Sequence, residues 1–128
     1  MKEPLKDIKV LEFSHVLAAP ASAYYLSLLG AEVIKVEPIV NGDSIRNYGG
    51  SCKKSIKEKM STSYLTQNSN KKSLAIDLST DEGKIIFNEL LRKSDVLIEN
   101  HLPSTLRSLN IDFLDIKNSN PKIIICSL

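Results

Sequence analysis

The sequence has no tryptophan, only five glycines and five prolines, and no strong excess of either charge, with 17 Lys and Arg against 15 Asp and Glu. A formal net charge of +2 excludes a nucleic-acid footprint as the organising feature, and 25% charged with 42% hydrophobic residues is the composition of a packed domain. No apolar run approaches the roughly 20 residues that a membrane helix needs. Met1-Lys2-Glu3-Pro4 lacks the apolar core of a secretion signal, so a cytoplasmic location and no membrane partner are expected. The two cysteines, Cys52 and Cys126, lie far apart and form no Cys-x-x-Cys pair, which removes zinc-ribbon and dithiol redox chemistry. Cys126, inside an apolar run, reads as an inert core thiol. With 128 residues the chain has room for one domain and not for two.

The most telling absence is local. Val10-Leu11-Glu12-Phe13-Ser14-His15-Val16-Leu17-Ala18-Ala19-Pro20, then a short helix, Gly30, and Ala31-Glu32-Val33-Ile34-Lys35-Val36-Glu37 read as strand, turn, helix, strand. A dinucleotide fold places Gly-x-Gly-x-x-Gly in that first turn so that a pyrophosphate can approach the backbone, and this turn has no glycine. Another ligand is indicated. Glu37 stands where such folds put the carboxylate that holds a ribose, but without the glycines that match is weak. A phosphoacceptor receiver is also excluded: the first strand is followed by Ser14-His15 instead of acidic residues, and Asp77 falls one residue short of the third strand's end.

Along the rest of the chain, Pro20 and Gly30 bracket a helix over residues 21–29, and the third strand is expected over residues 73–78. Ser79 and Glu82 have capping-box spacing, and Gly83, Ile86, Phe87, Leu90 and Leu91 make one apolar helical stripe. A fourth strand over 95–100, two short helices near 103–109 and 113–117, and a fifth strand over 122–127 follow. Strands alternating with helices predict an α/β fold: a Rossmann-like, mostly parallel sheet with helices on both faces, truncated after its fifth strand. Residues 41–72 form a polar connection too long for an ordinary loop, so it holds a short helix around 61–67 or a functional excursion. Within it, the basic run 53–59 is either a solvated loop or a phosphate-facing one.

Ligands of open α/β sheets sit beyond the carboxyl ends of the strands, which shortens the candidate list to Ser14 through Ala18, Pro38, Leu78 with Ser79, and Asn100 through Leu102. His15 and His101 can donate to a phosphate or ribose, or merely satisfy nearby carbonyls. Lys71 and Lys72 look like phosphate ligands but precede the third strand, toward the edge away from the crevice.

Residues 5–20, Leu29-Gly30-Ala31-Glu32-Val33-Ile34-Lys35-Val36-Glu37-Pro38, Gly42-Asp43 with Arg46, Asn68-Ser69-Asn70-Lys71-Lys72-Ser73, Asp95-Val96-Leu97-Ile98-Glu99-Asn100 and Asn120-Pro121-Lys122-Ile123-Ile124 come in an order and spacing that resemble the N-terminal part of the class III CoA-transferases of CaiB/BaiF type. That family includes formyl-CoA transferase, the carnitine CoA-transferase and the α-methylacyl-CoA racemases. The resemblance implies a CoA-transferase that takes an acyl-CoA and a carboxylic acid, binds coenzyme A without a metal, and forms an interlocked homodimer at full length. It implies CoA contacts from His15, Val16, Leu17 and Ala18, from Pro38, from Leu78 and Ser79, and from Asn100, His101 and Leu102. The family's nucleophilic aspartate is expected beyond the fifth strand, so residues 1–128 read as an incomplete CoA-binding part, inactive alone, with no catalytic residue of its own. Asp77, Asp81 and Asp95 read instead as strand-end, helix-cap and strand-start residues. Leu17 stands where formyl-CoA transferases carry glutamine, against formyl or oxalyl specificity. Ser108 stands where many relatives have arginine, which bears on a phosphate contact from Arg107. The alternatives are an α-methylacyl-CoA racemase of the same family and a non-catalytic nucleotide-binding module.

Overall fold

The computed structural model describes residues 3–49 and 57–128, so Cys52 and residues 53–56 of the basic run lie outside the described residues. β1 (Lys9–Phe13), β2 (Glu32–Glu37), β3 (Lys72–Ala75), β4 (Val96–Glu99) and β5 (Ile124–Ser127) form a five-stranded sheet in the order β3-β2-β1-β4-β5. Every pairing is parallel. The expected α/β sheet is therefore present, and the order reverses between β2-β1 and β1-β4.

Alternation along the inner strands divides the core in two. Leu11, Phe13, Val36 and Leu97 face one side, where they pack with Phe87 and Leu91 of α3 (Asp81–Arg92), Leu106 of α4 (Pro103–Ser108) and Ile116 of α5 (Phe113–Ser119). Val10, Val33 and Ile98 face the other side, against Ala19 and Ala23 of α1 (Ala18–Leu28). Phe13 and Phe87 meet edge to face at 5.2 Å, and burying a side chain of this size contributes roughly 1.5–3 kcal/mol. Helices thus cover both faces, as the apolar runs of β1 and β2 require.

α1 starts at Ala18, three residues earlier than expected, with Pro20 inside its first turn. It ends in a Schellman closure, in which Gly30 donates to Ser27 O and Ala31 to Leu26 O while Gly30 takes φ +102°. Between β2 and β3 lie a 3-10 turn (Ser44–Asn47), capped by Asp43, and α2 (Thr62–Asn68), capped by Ser61. The long connection thus contains the expected short helix.

Several expectations shift. β3 is shorter than residues 73–78 because Asp77 accepts from the Ser79 amide and hydroxyl, turning the chain toward α3. The cap of α3 is Thr80, whose hydroxyl accepts from the Gly83 amide, and not Ser79. Gly83 is required there: a Cβ would lie 1.8 Å from the Asp77 carbonyl oxygen. Ile86 is exposed, so the buried stripe narrows to Gly83, Phe87 and Leu91, with Leu90 at its margin. Cys126 is exposed rather than a core thiol, because β5 is an edge strand and only Ile123 just before it is fully buried. Among the described residues, no helix is long and apolar enough to cross a membrane, and no group of three potential metal ligands occurs.

Candidate functional site

The carboxyl ends of β1, β2 and β3, with the start of α4, enclose an apolar cleft of about 420 Å³. Phe13, Val36 and Ile76 form its floor, and Pro38, Leu78, Ser79, His101 and Thr105 contribute to its walls. The fold therefore brings together four of the expected residues: Pro38, Leu78, Ser79 and His101. A neighbouring hollow of about 300 Å³ shares Phe13, Pro38 and His101 and adds Ser14, His15 and Asp43. Size, apolar lining and position at the topological switch are those of a small-molecule site.

His101 is the hinge between the two hollows. Its ring stacks on Phe13 at 3.9 Å and 17°, and the His15 ring stands edge-on to it at 4.8 Å. Its amide donates to Glu99 Oε2 at 2.7 Å. Burial, then the neighbouring His15, push its pKa below the ordinary histidine value, with Glu99 opposing. Nδ1 is buried without a hydrogen-bond partner among the described residues, 3.9 Å from Glu99 Oε2.

Asn100 holds the turn and does not line the cleft. Its side-chain oxygen accepts from the His15 amide at 3.0 Å and its Nδ2 donates to His15 O at 2.9 Å, a reciprocal pair across the β1–β4 switch. Val16, Leu17, Ala18 and Leu102 are exposed and stand outside the cleft's lining. The sequence reading missed Phe13, Val36 and Thr105; the signal was their place at strand ends and at the first turn of α4.

On the opposite face of the sheet lies a charged layer. Lys35 Nζ is 2.6 Å from Glu12 Oε1 and 3.0 Å from Asp43 Oδ2, with all three side chains fully buried, and also donates to Ser14 O at 2.9 Å. Lys71 Nζ bonds Glu12 Oε2 at 2.6 Å, Pro20 O at 2.7 Å and Asn68 Oδ1 at 2.9 Å. Two ammonium groups thus balance two carboxylates, and neutral partners take much of their remaining capacity. Burial lowers the Lys71 pKa, with Glu12 pulling it back. Lys71 is therefore a strut beneath the first turn, and Lys72 forms an exposed ion pair with Glu32, so neither reaches the cleft as a phosphate ligand.

Glu37 is equally occupied. It takes two bonds of 2.7 Å from Arg46, one from the Asp43 amide at 2.8 Å, one from Ser73 at 2.9 Å and one from Tyr64 at 3.0 Å. The Arg46 guanidinium also lies 3.8 Å over the Tyr64 ring. Burial alone would raise the Glu37 pKa, but these donors, Arg46 first, hold it at about 2. Burial and then Glu37 push the Tyr64 pKa above its ordinary value. The carboxylate that a dinucleotide fold offers to a ribose is spent here on locking the long connection to β2.

The model of CoA-transferase family III matches residues 5–128. The chain is 39% identical over 126 residues to human succinyl-CoA:glutarate CoA-transferase, covering 98% of this chain and 28% of that protein. It is 38% identical over 129 residues to the succinate–glutarate CoA-transferase of Agrobacterium fabrum, covering 99% of this chain and 32% of that one. Among solved structures, a CAIB/BAIF family protein from Brucella suis superposes with a TM-score of 0.86 at 32% identity, over 99% of this chain and 33% of that one. The chain spans about a third of the length of the relatives it matches.

Proposed function

The chain belongs to CoA-transferase family III, and on that premise we propose that the protein moves CoA between an acyl-CoA thioester and a carboxylic acid, this chain receiving the nucleotide end of CoA. The observation that carries the reading is the apolar cleft beyond β1, β2 and β3, where Pro38, Leu78, Ser79 and His101 converge. A flat base fits between the Phe13–His101 stack and Leu78, and the pantetheine arm runs along the exposed turn of His15, Val16, Leu17 and Ala18. Asn100 supports that turn, and Leu102 offers an exposed apolar contact beside it.

In this reading, a carboxylate nucleophile attacks the thioester carbonyl, the C–S bond breaks, and the CoA thiolate leaves behind a mixed anhydride. The thiolate then attacks the enzyme's acyl carbon and releases the product carboxylate, leaving CoA on the enzyme for the second acid. Asp77, Asp81 and Asp95 are not proposed as that nucleophile. Asp77 accepts from Ser79, Asp81 opens α3, and Asp95 accepts from the Lys9 amide. The nucleophile belongs, in this reading, to the two thirds of the relatives' length that this chain does not span. A cytoplasmic, interlocked homodimer is the proposed assembly.

Titration calorimetry on the intact protein tests the site. CoA is expected to bind at least tenfold tighter than NAD, a difference of about 1.4 kcal/mol, because Cβ atoms occupy a turn where a dinucleotide pyrophosphate needs glycine. Ala18→Phe, at the mouth of the turn, is expected to weaken CoA by a similar factor with an unchanged circular dichroism spectrum. Exchange of CoA from succinyl-CoA, the donor in several relatives' names, to dicarboxylates tests the activity. Equal affinity for NAD and CoA, or full CoA affinity in Ala18→Phe, overturns the reading.

A further inference from the structure

We propose that Asp43 and Gln67, both on the long connection between β2 and β3, are positioning residues that clamp the Val16 peptide and so shape the ligand-facing turn between β1 and α1; the proposal rests on the CoA site above. Val16 has φ +73°, a left-handed conformation that a β-branched residue adopts only under constraint. Its neighbours supply that constraint from both ends. The Val16 amide donates to Asp43 Oδ1 at 3.2 Å and Oδ2 at 3.3 Å. With its amide nitrogen turned toward the turn, Gln67 donates to Val16 O at 2.8 Å and to Leu17 O at 3.2 Å; the opposite orientation would set oxygen against oxygen.

The clamp is itself held rigid. Asp43 is 2% exposed, accepts from the Ile45 amide, pairs with Lys35, and donates its own amide to Glu37. Gln67 rides on α2, whose Ser61 cap also donates to Ile45 O and whose Tyr64 is tied to Glu37 and Arg46. The turn needs such outside support, since Leu17 at the head of α1 has no side-chain cap. The connection that looks like an unexplained excursion in sequence is, in space, the mould of the first turn.

The test uses the intact protein with two readouts, CoA affinity by calorimetry and the exchange rate of the Val16 amide proton by nuclear magnetic resonance. Gln67 is partly buried on α2, and Gln67→Ala is expected to keep the fold. It is expected to weaken CoA about fivefold, the worth of one hydrogen bond, and to speed Val16 exchange. Adding Val16→Gly, which adopts positive φ freely, is expected to recover more of the lost affinity than adding Val16→Ala, although both remove the same side-chain contact. Asp43→Ala is expected to act more strongly in the same direction. If wild-type protein fails to bind CoA, the functional reading falls while the exchange readout still decides the clamp. Unchanged Val16 exchange in Gln67→Ala, or equal behaviour of the glycine and alanine partners, overturns it.

Discussion

Glu12 and Lys35 face each other on adjacent strands, one residue pair in the β1–β2 register, and their charged ends meet at 2.6 Å with no solvent exposure on either side chain. Each sits among apolar neighbours near the carboxyl end of its strand, where an isolated charge would carry a desolvation cost of several kcal/mol. Asp43 and Lys71 complete the arrangement from the long connection, so folding of β1, β2 and that connection is tied to one neutral cluster.

Lys35→Met removes the central cation and leaves Asp43 buried without its ion-pair partner. A loss of about 3–5 kcal/mol in unfolding free energy is expected, measured as a lowered denaturant midpoint with an unchanged slope. Glu12→Gln combined with Lys35→Met is expected to lose less than the sum of the two single variants, since the pair's members share their cost.

The Glu37–Arg46 pair sets an acid limit. The folded Glu37 carboxyl titrates at about 2 against an ordinary value of 4.5, so the folded state binds this proton less readily than the unfolded state does. Its contribution is therefore fully present above pH 4.5 and is lost as pH falls toward 2, a change of about 3 kcal/mol by linkage. Arg46→Lys loses the two-pronged contact and the stack on Tyr64, so the acid limb of the stability curve is expected to move to higher pH. Urea unfolding at a series of pH values between 3 and 7 checks it; coincident acid limbs for the variant and the parent count against the account.

The α/β alternation, the Gly30 closure and the edge of the sheet that carries the cleft were all legible from local rules, because each is set by neighbours within a few residues. Glu37 and Lys71 were not. A carboxylate at a strand end and a lysine before a strand look like ligand contacts until the chain folds Tyr64 onto Glu37 and Glu12 onto Lys71 from tens of residues away. Part of that was readable: a Glu inside Val-Leu-Glu-Phe and a Lys inside Val-Ile-Lys-Val, each near the carboxyl end of its strand, are complementary charges that a parallel register sets side by side. The bonds from Asp43 and Gln67 to Val16 had no local signal, since they depend on where the connection returns.

His101 offers the sharpest separation of shape from charge in the proposed CoA site. Its ring is stacked on Phe13, and burial keeps its pKa below the ordinary histidine value of 6.5, so at neutral pH it acts as a flat, uncharged wall of the cleft. His101→Phe keeps that wall and is expected to retain CoA affinity within about twofold, whereas His101→Ala removes the stack and is expected to weaken binding about fivefold to tenfold, in line with the ~0.5–1.5 kcal/mol worth of an aromatic contact. The same depressed pKa means that the unfolded chain takes up the His101 proton first, so stability declines as pH falls below 6.5. In His101→Phe that part of the decline is expected to vanish. Calorimetry with CoA at pH 7.5 and unfolding curves at pH 5.5 and 7.5 measure both effects. A His101→Phe variant that loses CoA binding as severely as His101→Ala would show that an imidazole nitrogen, and not the ring's face, meets the ligand.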